Sequence, residues 1–179
     1  MQKSLDLVDH ARRGDQAAFR QLVEEHESLV RSTVVGMLGD TAEASDVAQE
    51  VFIRFFRALK DFRGEAQVGT YLSRIAINLS INELKRRQRR NRWLSLVQKD
   101  NRMPKEDESM NPGRQDLRDA LRKALQVLDP EFRAVVVLRL VDGHSVKETA
   151  EILGLPQGTV ASRLARGQQK LRGILKKWL

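Results

Sequence analysis

No cysteine occurs in the 179 residues, which excludes disulfides and thiolate metal sites and suits a reducing compartment such as the cytoplasm. The three histidines, His10, His26 and His144, lie far apart, and no ligand pair falls at metal spacing. Neither a phosphate-cradling glycine loop nor a nucleophile elbow is present, so no catalytic residue, cofactor or metal is expected and the chain does not read as an enzyme. No stretch approaches about 20 uninterrupted apolar residues. The start, MQKSLDLVDHARRGD, lacks the apolar centre of a signal peptide, so neither secretion nor a membrane anchor is expected.

What the chain does have is positive charge: 32 Lys and Arg against 24 Asp and Glu, a net +8 that favours a polyanionic partner, nucleic acid first. Excess charge alone is common among soluble proteins, so its distribution has to decide. The length suits one ordinary domain or two small ones.

The periodicity is helical throughout. Phe19, Leu22, Val23, Val30, Val34 and Leu38 form one stripe between Gly14 and Gly39. After a cap at Asp40 or Thr41, a second stripe carries Val47, Val51, Phe52, Phe55, Leu59 and Phe62, where the phenylalanines read as core. Beyond the polar break Arg63-Gly64-Glu65, a third helix is expected from near Thr70, with Leu72, Ile75, Ala76 and Leu79 inside. It runs into Lys85, Arg86, Arg87, Arg89, Arg90 and Arg92, a block that occupies several faces of a helix and suits phosphate contact or a solvated end.

Residues 98–115 lack apolar periodicity and contain Pro104, Pro112 and Gly113, so they read as a flexible linker. The expected division is a first domain at 1–97, the linker, and a second domain at 116–179. A linker of this length has a root-mean-square span of about 20 to 25 Å and a limit of about 60 Å, enough to set two modules more than one duplex turn apart. In the second domain Leu117, Leu121, Leu125 and Leu128 precede a helix opened by Asp129 as cap and Pro130 in its first turn, carrying Phe132, Val135, Val136, Leu138 and Leu140. The fold class is therefore all-α, two small helical domains.

Residues 145–171 carry the strongest local signal and read as a helix-turn-helix. Ser145 and Glu148 form a capping box, Gly154 makes the turn, Pro156 permits the last helix, and Ala150 is small where the helices approach. Val146, Ile152, Leu155, Val160 and Leu164 are the expected contacts between the pair. With Val160, Leu164 and Leu171 inward, Thr159, Ser162, Arg163 and Arg166 turn outward together, and Arg, Ser and Thr are side chains that read base edges or phosphates. Lys170 and Arg172 suit phosphate or water.

The pairing of DVAQEVFIRFFRALKDFRG and YLSRIAINLSINELKRR with LDPEFRAVVVLRLVDGHSVKETAEILGLPQGTVASRLARGQQKL resembles the extracytoplasmic-function sigma factors, which keep only the second and fourth conserved sigma regions. The likeness runs from about Asp15 to Leu175. It implies that Asp46, Gln49 and Glu50 contact the clamp helices of core RNA polymerase, with Arg54 and Arg57 beside them. It implies that Arg63, Thr70, Tyr71, Arg74 and Asn78, followed by the basic block, serve the minus-ten element as duplex and as melted non-template strand. It implies that the second domain reads the minus-thirty-five element through Thr159, Ser162, Arg163, Arg166 and Lys170. An anti-sigma factor, often membrane-bound, is the further implied partner.

Two positions depart from the family's pattern. Tyr71 stands where a tryptophan is usual, after a loop kept small by Val68-Gly69, and Ala161 replaces a common basic residue of the recognition helix. Tyrosine still stacks on a base for about 1 to 3 kcal/mol. Two other readings remain open on the residues alone: a stand-alone helix-turn-helix regulator binding an operator, and a hydrolase or nuclease acting on nucleic acid.

Overall fold

The computed structural model describes residues 2–64, 66–97 and 114–176; the expected linker lies almost wholly outside them. Every regular element among the described residues is helical. The first domain comprises α1 (Gln2–Arg12), α2 (Gln16–Leu38), α3 (Ala42–Ala58) and α4 (Val68–Val97). Helix α2 is the axis against which α1, α3 and α4 all pack. It starts where Asp15 accepts from the amides of Ala17 and Ala18 at 2.9 and 3.1 Å, and α3 starts where the Thr41 hydroxyl accepts from Ala44 at 3.3 Å. Leu22, Val30, Val34, Met37, Val51, Phe55, Leu72 and Ile77 fill the centre. Each large side chain among them contributes about 1.5 to 3 kcal/mol by burial.

Helix α1 is an element the sequence reading did not isolate. Its Val8 and Ala11 join the core, and its Arg12 donates to the carbonyls of Leu59 and Phe62, satisfying the open carboxyl end of α3. The third stripe begins at Val68, two residues before the expected Thr70, and continues unbroken through the basic block to Val97.

The second domain comprises α5 (Arg114–Val127), α6 (Pro130–Val136), a π-helical segment at Val137–Val141, α7 (Val146–Leu153) and α8 (Gln157–Leu175). Three expectations are corrected here. Helix α5 starts at Arg114, so the last two residues assigned to the linker are helical. Pro130 opens α6, but the Asp129 side chain makes no cap; it turns to Lys170 of α8 instead. The run expected as one regular helix through Leu140 widens after Val136, with the Asp142 amide reaching the Val137 carbonyl five residues back at 3.0 Å.

The two domains meet along α2 and α4. Ala134, Val137, Leu138 and Ile152 are buried in the same apolar cluster as the first domain's core, so Ile152, expected to brace the helix-turn-helix, faces the other domain. Gly36 makes the approach possible: a Cβ there would stand 2.8 Å from Val137 Cγ2.

Candidate nucleic-acid interface

The helix-turn-helix is built as its sequence specifies. The Ser145 hydroxyl accepts from the Glu148 amide at 3.1 Å and the Glu148 carboxylate accepts from the Ser145 amide at 2.7 Å, which also holds the Glu148 carboxyl below its usual range. Gly154 closes α7 in the left-handed region at φ +64, and the Leu155 amide returns to the Ala150 carbonyl at 3.0 Å. Val135, Ala150 and Val160 lock the two helices together, with Val146, Leu155 and Leu164 around them.

On the outer side of α8, Ser162 and Arg166 are exposed and Thr159 is half-buried. Arg166 has no ionic partner among the described residues. Arg163 does: its guanidinium lies 2.8 Å from Glu131 of α6. Lys170 is exposed but also paired, 2.5 Å from Asp129 and 4.6 Å above the Phe132 ring, and the ammonium holds the Asp129 carboxyl below its usual range. Of the five side chains expected on this face, Ser162 and Arg166 are presented openly, Thr159 partly, while Arg163 and Lys170 are paired to α6.

In the first domain a groove of about 510 Å³ runs between α3 and α4, lined by Asp46, Glu50, Asn82, Glu83, Arg86 and Arg89 among others. The acidic-polar motif and part of the basic block thus share one groove. Gln49 and Arg57 are exposed, and Arg54 pairs with Glu50 at 2.9 Å. The basic block divides by face. Lys85, Arg89 and Arg90 are exposed, Arg86 pairs with Glu83 at 2.7 Å, and Arg87 turns inward to the Leu38 carbonyl at 3.0 Å and the Thr41 hydroxyl at 2.9 Å. Arg87 therefore closes the end of α2 and does not face a phosphate.

A smaller cavity of about 210 Å³ sits between residues 61–64 and α4, lined by Asp61, Phe62, Arg63, Gly64, Ala66, Tyr71 and Arg74. Tyr71 packs edge-on against Phe62 with ring centroids 5.1 Å apart and tilts against Phe55 at 6.0 Å, leaving part of its ring in the cavity wall. Arg63 and Asn78 are exposed. Thr70, at 5% exposure, is buried and offers no surface to DNA, contrary to expectation.

The sequence reading missed the side chains that join the domains. Arg133 is buried, and its guanidinium donates to the carbonyls of Met37, Gln126 and Leu128 at 2.5, 2.6 and 2.8 Å and to Gln126 Oε1 at 2.8 Å. Burial pulls its pKa down to about 10, so it stays charged at neutral pH. The Asp142 carboxylate accepts from the hydroxyls of Ser32 and Thr33 at 2.6 and 2.8 Å, and burial pushes its carboxyl above the usual range against those two bonds. The signal was an arginine inside the apolar run FRAVVVL, a charge that such a run buries only with partners.

Residues 22–90 match the Sigma-70 region 2 family and residues 118–171 match Sigma-70, region 4, in that order. The chain belongs to the sigma-70 family. This sigma factor is 34% identical to the RNA polymerase sigma-H factor of Pseudomonas aeruginosa over 95% of this chain and 92% of that protein. It is 39% identical to the ECF RNA polymerase sigma factor SigE of Mycolicibacterium smegmatis over 92% of this chain and 65% of that one. It is 31% identical to the ECF sigma factor SigW of Bacillus subtilis, over 94% and 95%. Among solved structures, CnrH in complex with the cytosolic domain of CnrY superposes with a TM-score of 0.74 at 25% identity, covering 98% of both chains. RpoE of Bartonella quintana, solved with the anti-sigma factor NepR, shares the fold with a TM-score of 0.68 at 24% identity over 88% of this chain and 96% of that one. No described helix is long and apolar enough to cross a membrane.

Proposed function

We propose that this ECF sigma factor engages core RNA polymerase through Asp46, Gln49 and Glu50, with Arg54 and Arg57 alongside, and divides promoter recognition between its domains. The first, residues 1–97, takes the minus-ten element and its melted non-template strand through the cavity at Arg63, Tyr71 and Arg74, with Asn78 and the exposed Lys85, Arg89 and Arg90 alongside. The second, residues 116–179, reads the minus-thirty-five duplex through Ser162 and Arg166, with Arg163 recruited once it leaves Glu131. Residues 98–115 connect them. The chain supplies binding and no chemistry; it is not an enzyme, and it acts in the cytoplasm.

The observation that carries this reading is the pairing of two surfaces in one chain: an acidic groove at Asp46 and Glu50, and a helix-turn-helix whose Arg166 stands free. An operator-binding regulator needs only the second. The complexes of CnrH with CnrY and of RpoE with NepR support an anti-sigma partner for this chain as well. Binding to purified core polymerase tests the first half of the reading. The wild-type chain is expected to bind, and the Asp46→Ala/Glu50→Ala chain to bind at least about tenfold more weakly, as when close charge pairs are lost at an interface. Equal binding by both would overturn the assignment.

A further inference from the structure

The side chains assigned to the minus-ten element follow one seam of α4. Tyr71, Asn78 and Lys85 recur at every seventh residue, and the next position in that series is Arg92. A straight helix drifts by only about 20° over seven residues, so all four leave α4 on one side, with Arg74 and Arg89 in the same sector. Asn78, Lys85, Arg89 and Arg92 are exposed. Because α4 is one helix from Val68 to Val97, the seam is unbroken. It rises about 31 Å from Tyr71 to Arg92, close to the roughly 34 Å of one duplex turn.

The far end of this seam lies beyond the family's region. The region 2 match stops at residue 90, and α4 continues past it. There the helix presents Trp93, 62% exposed, one turn after Arg89, with Leu94 beside it at 40%. Tryptophan and arginine are the side chains that most often dominate contact surfaces. The surrounding charge points to the partner. Residues 84–99 contain no carboxylate. Arg86 and Arg87 are drawn to Glu83 and Glu43, whereas Arg89 and Arg92 make no ion pair among the described residues. Guanidinium groups without a counter-charge, around an open indole, fit a phosphate backbone.

Order along the seam selects which DNA. The melted strand belongs at Tyr71 and Arg74, the paired minus-ten element at Lys85 and Arg89, and duplex further from the melted segment at Arg92 and Trp93. In sequence, residues 98–115 lead on from this end to the domain that reads the minus-thirty-five element. The duplex between those two elements is the spacer.

We propose that Arg92 and Trp93 form a contact with the paired spacer, Arg92 on a phosphate and the indole against the sugar edge with Nε1–H donating to a phosphate oxygen. The contact is blind to sequence and adds affinity. It rests on the assignment of the α4 seam to the minus-ten element; the contact itself is tested without polymerase.

The chain has two tryptophans, Trp93 and Trp178, so the full chain carrying Trp178→Phe reports on Trp93 alone. The probe is a mixed-sequence duplex long enough to span α4, at low salt, with binding followed by the anisotropy of a dye on the DNA and helix content by circular dichroism. Bound duplex is expected to change Trp93 emission and to shield the ring from acrylamide. Trp93→Ala is expected to weaken duplex binding about fivefold, the low end for an aromatic contact with nucleic acid, and Trp93→Phe to restore most of it. Arg92→Ala should flatten the salt dependence by about one phosphate. Unchanged Trp93 emission with duplex bound, equal binding by wild type and Trp93→Ala, or no duplex binding at low salt would overturn the contact. Tighter binding of a single strand, reported by Trp93, would overturn its assignment to paired DNA. A chain that passes these tests yet neither binds core polymerase nor directs initiation would overturn the functional reading and leave the DNA contact standing.

Discussion

The Arg133 guanidinium of the second domain lies 2.5 Å from the Met37 carbonyl at the carboxyl end of α2. With Gln126 donating to the Gly36 carbonyl at 3.1 Å and Arg87 to that of Leu38 at 3.0 Å, three successive carbonyls at the end of one helix are satisfied by side chains from α5, α6 and α4. One end of α2 thus ties the two domains together.

Arg133→Ala should be among the most destabilising single changes in the chain. It strands carbonyls of both domains and leaves a cavity, and each buried acceptor left without its hydrogen bond costs about 1 to 3 kcal/mol. Urea unfolding of the full chain measures it. A loss under about 1 kcal/mol, the range of an exposed pair, would mean that water replaces the guanidinium without penalty.

His26 should make the chain sensitive to mild acid. Burial holds the imidazole below its ordinary pKa of 6.5, and Nε2 is buried without a hydrogen-bond partner among the described residues. The unfolded chain therefore binds the proton more readily, so the contribution is fully present above pH 6.5 and is lost as pH falls through the lower folded value. Unfolding free energy measured from pH 7.5 to about 5 is expected to decline, and the decline to shrink in His26→Leu. Identical slopes would contradict it.

The turn of the helix-turn-helix should depend on its caps. Ser145→Ala removes the cap on the Glu148 amide and is expected to cost about 1 kcal/mol. Gly154→Ala forces a Cβ into the left-handed region and should cost about 1 to 2 kcal/mol. Both are read as shifts in the urea midpoint, and a neutral Gly154→Ala would mean that the turn relaxes.

Arg166 and Arg89 should fail in different ways. Arg166→Ala is expected to lose about 1 to 3 kcal/mol at particular minus-thirty-five sequences, whereas Arg89→Ala should weaken binding evenly and flatten the salt dependence by about one phosphate. Glu131→Gln, which frees Arg163, should strengthen upstream binding. Titration of promoter variants across salt concentrations separates these outcomes, and base-selective loss from Arg89→Ala would reverse the two roles.

What was legible in the sequence was local. The capping box at Ser145 and Glu148, the left-handed Gly154 and the stripe through Val51 and Phe55 depend on neighbours within a few turns, and they occur as expected. Asp129 was misread because its cap geometry competes with Lys170, 41 residues away, and the charge wins. The π-helical segment arises where Val137 seats on Gly36 and Asp142 on Ser32 and Thr33, contacts across about a hundred residues that no periodicity encodes. Arg87 looked like any member of a basic block, yet it faces inward because the end of α2 lies beside it. Promoter-contacting roles rest on exposed side chains, and exposure in a two-domain chain depends on where the domains meet.

Run-off transcription with purified core polymerase tests the central claim most directly, on templates taken from start sites mapped after overexpression. The wild-type chain is expected to direct initiation at positions with a shared upstream pair of elements, and Asp46→Ala/Glu50→Ala to abolish it while the isolated chain stays folded. Wild-type chain that yields no start-site-specific transcript, or a palindromic footprint formed without polymerase, would contradict the account.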